Sequence, residues 1–314
     1  MLLAAAAAAL GAGALVRPPS SSAAPAATST ASVRYGWPVA PFFRQHPIRG
    51  AFGDPRILGA SHSFHFGVDV SCPNGTPVYA TQSGTAHRHP LHRDVVIVLA
   101  PQGRALEYWH VRPLVANGAR VVAYRTVIGT VEAPWEHVHL AERLAGAYVN
   151  PLRPGALTPY VDRTRPSVRS LAVESAGRVL RGRQASGRVD LVVEAYDATP
   201  LPIGGPWGGK PVTPSLLEWR LVRPVGARTT QGASAWQAAF DVRRTYPANE
   251  LWSQVYARWT RQNKKHRVGR YRFALVHGLD TTALANGRWT VQVRASDVRG
   301  NATTAAFGVV VANV

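Results

Sequence analysis

The sequence predicts an all-β protein, with an antiparallel β-sheet domain followed by a β-sandwich of the immunoglobulin or fibronectin type. Between residues 35 and 161, short runs rich in Val, Ile and Tyr alternate with Gly and Pro, which is typical of short strands joined by turns. That region keeps no sustained 3.6-residue period, so long amphipathic helices are not expected. Further on, Trp289, Val291 and Val293 alternate with polar residues, as in a strand buried on one face.

The chain has 314 residues, which is enough for two domains. We predict a signal peptide with a low-complexity linker over residues 1–34, an N-terminal body over 35–162 and a basic β-sandwich, the C-terminal body, over 163–314. The boundary falls at the charged segment Asp162–Pro166, whose final proline suits a linker. Six strands are expected in the N-terminal body: Val68–Val70, Pro77–Ala80, Asp94–Ala100, Ala105–His110, Val127–Val131 and His137–Ala141.

The C-terminal body carries weaker signals. Its clearest strands are Val189–Asp197 and Gly287–Asp297, which both end in Ala-x-Asp. The Cys…Trp…Cys spacing of immunoglobulin domains is missing, so this prediction rests on strand pattern alone. Residues 250–268 are the one plausible helix or long loop. Six tryptophans are expected in the sandwich core or, alternatively, on a carbohydrate-stacking face: Trp207, Trp219, Trp236, Trp252, Trp259 and Trp289.

The first residues indicate export. Residues 2–16 form an uncharged apolar run, and about 20 apolar residues are needed to span a bilayer, so the run suits a signal peptide better than a transmembrane helix. A Pro/Ser/Ala stretch follows, with a possible cleavage site at Ala24-Pro25-Ala26, although no basic residue precedes the run. We expect a secreted or cell-envelope protein without a stable transmembrane anchor. An uncleaved low-complexity tail is the alternative.

The chain is strongly basic, with a formal net charge of +19. Residues 163–314 contribute +14 of this charge and residues 1–162 contribute +5. Such a balance favours anionic partners, here acidic cell-wall polymers rather than nucleic acid, for which no recognition motif is present. Two other interpretations stay open: an arginine-rich surface without a partner, or a C-terminal body that packs against the N-terminal body and completes its fold.

The histidines suggest a metal site. Cys72 is the single cysteine, which excludes a disulfide framework and a multi-cysteine zinc site. His65 and Asp69 can meet at one metal if the chain turns between them, while His137 and His139 share a face of one expected strand. A catalytic zinc takes three protein ligands and leaves a position for water, whose pKa it lowers to about 7. His110 ends another expected strand and could join the same site.

These residues belong to an ordered set that resembles the lysostaphin-type, LytM-like zinc metallopeptidases, which cut peptidoglycan. The resemblance covers about residues 36–161. Its motifs are His65-Phe-Gly-Val-Asp69-Val, Gly75-Thr-Pro-Val-Tyr-Ala80, Ser83-Gly-Thr85, Tyr108-Trp-His110-Val, Gly118-Ala-Arg-Val121, Ile128-Gly-Thr130, His137-Val-His139-Leu and Asn150-Pro-Leu152, preceded by Gly50–Arg56.

The resemblance implies that His65, Asp69 and His139 bind Zn²⁺ in a grooved antiparallel sheet. It also implies that His110 and His137 flank the metal-bound water, one helping to move its proton and both stabilising the oxyanion. The implied activity is that of a zinc metalloendopeptidase that hydrolyses peptide bonds in peptidoglycan stem peptides or cross-links. The alternatives are a non-catalytic envelope scaffold or activator of other wall hydrolases, and a wall-binding module with a vestigial enzyme half.

Several residues fall outside this scheme. Pro134-Trp135-Glu136 stands where the family usually has a small-residue turn, which puts substrate range and rate in question. His62 is expected at the rim of the cleft, and Cys72 as a small buried apolar residue. A solvated hairpin loop is expected to hold three further histidines, with an adventitious metal site or a substrate-contacting wall as the alternatives: His87, His89 and His92.

Overall fold

The structure is a computed structural model that describes residues 34–223 and 233–314. This part of the chain is almost entirely β, and its strands pair antiparallel except for one parallel pair at a sheet edge. The predicted all-β fold class is therefore confirmed. The expected signal peptide lies outside the described residues, and no helix within them is long and apolar enough to cross a membrane.

The N-terminal body contains thirteen strands in its described part. They are β1 (Ile48–Gly50), β2 (Pro55–Leu58), β3 (Ser61–Phe64), β4 (Val68–Ser71), β5 (Pro77–Tyr79), β6 (Gly84–Arg88), β7 (Val95–Ala100), β8 (Arg104–Trp109), β9 (Val111–Pro113), β10 (Arg120–Val121), β11 (Val127–Val131), β12 (His137–Leu144) and β13 (Ala147–Val149). All six strands predicted for this body are present as β4, β5, β7, β8, β11 and β12, each within three residues of its predicted ends.

The C-terminal body adds nine strands and little helix in its described part. The strands are β14 (Ser167–Ser175), β15 (Arg178–Val179), β16 (Gln184–Ala185), β17 (Arg188–Tyr196), β18 (Leu216–Val222), β19 (Gln237–Asp241), β20 (Arg272–Asp280), β21 (Gly287–Ser296) and β22 (Ala302–Val311). The helical pieces are α1 (Trp252–Val255) and the 3-10 turns Arg181–Arg183, Gly205–Trp207, Asn249–Leu251 and Thr281–Ala283. The expected element at 250–268 is thus one short helix followed by a loop.

Strand β12 lies inside the main sheet of the N-terminal body, whose order is β1-β4-β12-β8-β7-β6-β10. Alternate residues of a strand point to opposite faces. Val138 and Leu140 therefore enter a hydrophobic cluster, while His137 and His139 lie on the other face. The antiparallel register sets His139 opposite Asp69 of β4, which brings the two predicted metal-site strands together.

Two sheets form the C-terminal body, with orders β15-β14-β17-β20 and β16-β22-β21-β18-β19. Their apolar faces share one hydrophobic cluster, in which Leu191 and Val193 of β17 join Trp219 of β18 and Val291 and Val293 of β21. The alternation predicted for β21 is confirmed, because its odd-numbered residues from Trp289 are buried. Kinship with the immunoglobulin fold stays a prediction.

The two bodies share a hydrophobic interior. Phe52 and Phe64 belong to the N-terminal body, yet both are buried in the cluster that fills the C-terminal body. Conversely, Val298 of the C-terminal body belongs to the cluster of the main sheet. Residues 34–223 and 233–314 form one compact unit, and the predicted domain boundary near residue 162 remains a prediction. The shared interior favours the interpretation in which the C-terminal body completes the fold of the N-terminal body.

Buried hydrogen bonds join the bodies at the segment that precedes β2. The Asp54 carboxylate accepts a hydrogen bond from the Thr213 backbone N–H at 2.7 Å, and the Tyr256 hydroxyl donates to the Gly53 carbonyl at 2.7 Å. Nearby, the Asn150 side-chain amide donates to the backbone carbonyl of Val242, in the C-terminal body, at 3.0 Å. These contacts hold in place the segment before β2, which leads into the site described below.

We predict that Phe52→Ala destabilises both bodies together. Removing a fully buried phenylalanine costs about 3–5 kcal/mol in unfolding free energy, and Phe52 is 1% exposed. Urea unfolding followed by tryptophan fluorescence and by circular dichroism should shift to lower urea as one coincident transition. Phe43→Ala, at a residue that is 68% exposed, is the control and should shift far less. Separate transitions for the two bodies would contradict the shared interior.

Candidate metal centre

Three side chains from different places in the main sheet meet at the bottom of a cleft. His65 precedes β4, Asp69 lies in β4 and His139 lies in β12. The Nε2 atom of His65 is 2.6 Å from Nδ1 of His139, and each of these nitrogens is 3.0 Å from Oδ1 of Asp69. All three side chains are buried. The structure therefore brings together the three residues that the sequence suggested as metal ligands, and they form a group that could hold a metal ion.

Neighbouring groups orient two of these three donors. The Nδ1 atom of His65 is 2.8 Å from the Ala51 carbonyl oxygen and donates to it, which leaves the lone pair on Nε2 facing Asp69 and His139. The Arg56 guanidinium donates to Oδ2 of Asp69 at 2.9 Å, so that Oδ1 faces the two imidazoles. Outer partners of this kind commonly hold metal ligands in position. The sequence placed Arg56 at the end of the Gly50–Arg56 motif without indicating its role, because only the fold brings it to Asp69.

Glycine at position 67 lets the chain pass close to His139. A Cβ atom at this position would lie 2.5 Å from the Leu140 carbonyl oxygen and 2.7 Å from Nε2 of His139. Non-bonded Cβ atoms do not come this close to other atoms, so a side chain at residue 67 would push the imidazole or the strand away. Gly67 thus permits the turn from His65 to Asp69 and also allows this turn to lie directly against β12.

The electrostatic surroundings favour protonation states that bind a metal. Burial is the main reason why the pKa of both imidazoles lies below its usual value. The charge of Arg56 further lowers the pKa of His65, and the charge of His65 further lowers the pKa of His139, which falls to about 3. Burial would raise the pKa of Asp69, but His65, His137 and Arg56 hold it well below its usual range. Neutral imidazoles and an ionised carboxylate are the forms that bind divalent metals. Two such nitrogens and one such oxygen fit a catalytic zinc site.

Two further histidines stand beside this group, as the sequence suggested. The Nε2 atom of His137 is 3.4 Å from Oδ1 of Asp69. The ring of His110 lies 4.7 Å from that of His137, and its Nδ1 is 3.3 Å from the Asp94 carboxylate. His110 has a backbone φ of 65°, a left-handed conformation that is uncommon outside glycine and often found at functional sites.

Trp135 belongs to the segment Pro134-Trp135-Glu136, which interrupts the resemblance noted in the sequence. Its indole stacks on the His110 ring at a centroid distance of 3.9 Å and an interplanar angle of 20°. The neighbouring Glu136 also lines the cleft, and its carboxylate is 3.6 Å from the Lys265 ammonium group of the C-terminal body. The departure at residues 134–136 therefore leaves all five predicted site residues together and adds an aromatic wall beside His110.

The cleft above these residues has a volume of about 530 Å³ and is lined by both bodies. Phe66, Trp109 and Trp135 come from the N-terminal body. The C-terminal body supplies four residues to the opposite side: Trp207, Gln262, Asn263 and Lys265. Trp207 was expected in the sandwich core or on a carbohydrate-stacking face, and the core expectation is wrong because this ring is partly exposed in the cleft. Trp219 and Trp289 do lie in the core.

The remaining histidines lie outside the group of five. His89 and His92 are in the loop between β6 and β7, and their rings lie 5.3 Å and 4.9 Å from that of Trp109, at the far side of the cleft. His87 lies in β6. The predicted hairpin-loop position is therefore confirmed for His89 and His92 and wrong for His87, which is held in the sheet by pairing with β7. His62 stacks on Trp252 at 4.2 Å, and the partly buried Cys72 packs against the main hydrophobic cluster.

A separate cluster, the aspartate triad, consists of Asp162, Asp197 and Asp297. Asp197 and Asp297 directly follow β17 and β21, at the two Ala-x-Asp ends noted in the sequence. Carboxylate oxygens of the three residues lie within 4.8 Å of one another, and each residue is at most 8% exposed. Burial, and then the charges of Asp162 and Asp297, raise the pKa of Asp197 to about 8. Without a cation, Asp197 therefore keeps a proton at neutral pH.

Comparisons with known proteins find similar solved structures. No family model and no curated protein matches the chain. The catalytic domain of lysostaphin from Staphylococcus simulans is 24% identical, covering 32% of this chain and 86% of that one at a TM-score of 0.28. A zinc-containing peptidase from Vibrio cholerae is 23% identical, covering 38% of this chain and 39% of that one at 0.31. A chain from a SpoIIIAH and SpoIIQ complex is 21% identical, covering 38% of this chain and 98% of that one at a TM-score of 0.33. At these TM-scores the similarities do not establish a family.

We predict that Gly67→Ala lowers the metal content of the purified protein severalfold, because the new Cβ displaces His139 from the other two donors. Elemental analysis of the purified protein measures the metal. Gly308→Ala is the control, since a Cβ at that position meets no atom within 4 Å. An unchanged metal content in Gly67→Ala would show that His139 is not held against this turn.

We predict that Asp197→Asn stabilises the protein increasingly as the pH rises from about 4 to 8. The folded-state pKa of Asp197 lies near 8 and the unfolded value near 4, so the folded wild type binds the extra proton and loses stability across this interval, by about 1.4 kcal/mol per pH unit. Asparagine does not titrate. Urea unfolding in a chelating buffer at several pH values measures the difference, and parallel pH profiles would contradict the prediction.

Proposed function

We propose that this protein is an exported zinc metalloendopeptidase that hydrolyses peptide bonds in peptidoglycan stem peptides or cross-links. The observation that carries the proposal is the convergence of His65 Nε2, Asp69 Oδ1 and His139 Nδ1 at 2.6–3.0 Å, at the bottom of an open cleft. The ordered sequence motifs that resemble LytM-like peptidases support it independently.

His65, Asp69 and His139 would hold the zinc ion, and Ala51 and Arg56 would keep two of these ligands turned toward it. When bound, zinc polarises a substrate carbonyl and lowers the pKa of a bound water. The buried, neutral imidazoles and the ionised carboxylate need no proton loss before they bind the metal. The protein thus supplies a site whose ligands are already in their binding forms.

His110 and His137 would handle protons and negative charge beside this site. Burial, and then the charges of His137 and His139, lower the pKa of His110 to about 3, so its ring is neutral at physiological pH. Its Nδ1 is next to Asp94, which leaves Nε2 free to accept a proton. His137 presents Nε2 on the Asp69 side, where it can contact the developing oxyanion.

The cleft and the surface charge support an extended, wall-derived substrate. Aromatic walls at Trp109 and Trp135 can pack along a peptide, and the cleft volume exceeds that of a single side chain. The basic C-terminal body would bring the protein to anionic wall polymers by charge. Export rests on the sequence of residues 1–34, which lies outside the described structure apart from its last residue.

We predict one zinc per chain in the wild type, and loss of that zinc in Asp69→Ala and His139→Ala. His110→Ala and His137→Ala should retain zinc and lose about 10²–10³-fold in the rate of peptidoglycan hydrolysis, because they remove proton transfer or an oxyanion donor. Elemental analysis and the clearing of purified sacculi measure the two quantities.

The matched control is His277→Ala, at a half-exposed histidine of β20 outside the cleft, which should change neither quantity. Full zinc content in either ligand variant would refute the ligand assignment. A wild-type protein that binds zinc but cleaves no peptidoglycan would refute the enzymatic proposal and support the scaffold alternative.

A further inference from the structure

We propose that the C-terminal body takes part in catalysis, through an arginine that it holds against His137. Arg49 is the positioning residue, and Trp207 of the C-terminal body keeps it in place. This inference deepens the proposed function and rests on it, because His137 matters only if the cleft performs hydrolysis. No motif in the sequence pointed to Arg49, and Trp207 was expected elsewhere.

Arg49 lies in β1 and is 9% exposed. Its Nη2 atom is 2.6 Å from the Trp135 carbonyl oxygen and 2.6 Å from Nδ1 of His137. Nδ1 of His137 is also 2.7 Å from the same Trp135 carbonyl oxygen, so it lies between a group that can only donate and a group that can only accept. Because arginine has no acceptor and stays protonated, and because the Trp135 carbonyl already accepts from Arg49, we assign Nδ1 of His137 as an acceptor from Arg49. The proton of the neutral imidazole is therefore on Nε2, the nitrogen 3.4 Å from Oδ1 of Asp69.

This proton position divides the work of the two free histidines. With its proton on Nε2, His137 presents a hydrogen-bond donor toward the ligand side of the cleft, and it can stabilise negative charge on a reacting oxygen. His110 has the opposite arrangement, because its Nδ1 is next to Asp94 and its Nε2 can accept a proton. Arg49 thus assigns oxyanion stabilisation to His137 and leaves proton acceptance to His110.

Arg49 makes no ion pair within the described part of the chain. The charges of Asp69 and Glu136 act on its guanidinium from beyond ion-pair distance, and its polar contacts are a carbonyl and an imidazole. Its guanidinium carbon instead lies 4.2 Å from the centre of the Trp207 ring. A buried cation over an indole face is attracted by the ring's quadrupole and is shielded from water. The Trp207 ring is therefore the contact that compensates for the missing carboxylate.

The C-terminal body fixes Trp207 in turn. The residue ends the 3-10 turn Gly205–Trp207, and the Lys210 ammonium lies 5.0 Å from the same ring. That ammonium also donates to the Lys265 carbonyl at 2.9 Å, which ties the turn to the loop that lines the cleft. The line of contact thus runs from this loop through Trp207 and Arg49 to His137.

A double-mutant cycle on the full chain tests the proposal. Trp207→Ala should lower kcat about tenfold and Arg49→Lys about 10²-fold, since an oxyanion donor is typically worth 10²–10³-fold. KM should stay within about twofold and zinc content unchanged, because substrate contacts and ligands are untouched. The double variant should be no slower than Arg49→Lys alone, since residues in one line of contact are not additive. Trp207→Phe, which keeps an aromatic face, should restore most of the activity.

The matched control is Trp236→Ala. Trp236 belongs to the same body and is also contacted by arginines, at 4.6 Å from both Arg220 and Arg294, but it lies outside the cleft. Trp236→Ala should leave kcat unchanged, both in the wild type and in the Arg49→Lys background, because it is an independent site. If the kcat losses of Trp207→Ala and Arg49→Lys multiply in the double variant, the proposal is overturned. It is also overturned in favour of direct substrate contact by Trp207 if Trp207→Ala changes KM alone.

Nitrogen NMR of the ¹⁵N-histidine-labelled, zinc-loaded chain supplies a readout that does not require hydrolysis. His137 should show an unprotonated Nδ1 and a protonated Nε2, and this signature should weaken in Trp207→Ala but remain in Trp236→Ala. A protonated Nδ1 in the wild type would overturn the role of Arg49. The expected signature in a chain that cleaves nothing would keep Arg49 and Trp207 as positioning residues and reject only the proposed hydrolysis.

Discussion

The pairing of β4 with β12 is the constraint on which the site depends. Its register sets Asp69 opposite His139, and the period-two alternation of β12 sends Val138 and Leu140 into the core while both histidines face the cleft. A shift of one residue would exchange these faces and bury imidazoles among valines. The candidate metal centre and this part of the hydrophobic core are therefore fixed by the same strand pairing.

The group of three donors also needs a second layer of contacts. Three buried groups with lone pairs facing one another are unfavourable unless a cation or a proton lies among them. Ala51 and Arg56 turn His65 and Asp69 inward, and Gly67 lets the chain approach His139. All three belong to the segment between β1 and β4. That segment is fixed in turn by Thr213 and Tyr256, so the ligand geometry depends on the C-terminal body as well.

This dependence changes the meaning of the basic C-terminal body. Its net charge of +14 is the basis of the proposed attraction to anionic wall polymers. The same body also buries Phe52 and Phe64, lines the cleft with Trp207 and Lys265, and holds Arg49 beside His137. A body that only attached the protein to its substrate would need none of these contacts. The chain is better understood as one structural unit with a cleft built from both bodies.

The sequence by itself determined the local features. Period-two patterns and turn residues located β4, β5, β7, β8, β11 and β12. The pairs His65/Asp69 and His137/His139 indicated a metal site, because each pair spans only a few residues. Only the tertiary structure decided which distant residues complete the site. Arg49 and Arg56 resemble the other arginines of a basic chain, and Trp207 resembles a core tryptophan, until the fold brings them to His137 and Asp69. The aspartate triad shows the same limit: the two Ala-x-Asp ends were visible in the sequence, but their meeting with Asp162 depends on how the strands pack. Contacts between residues on different elements are set by packing, which no local pattern records.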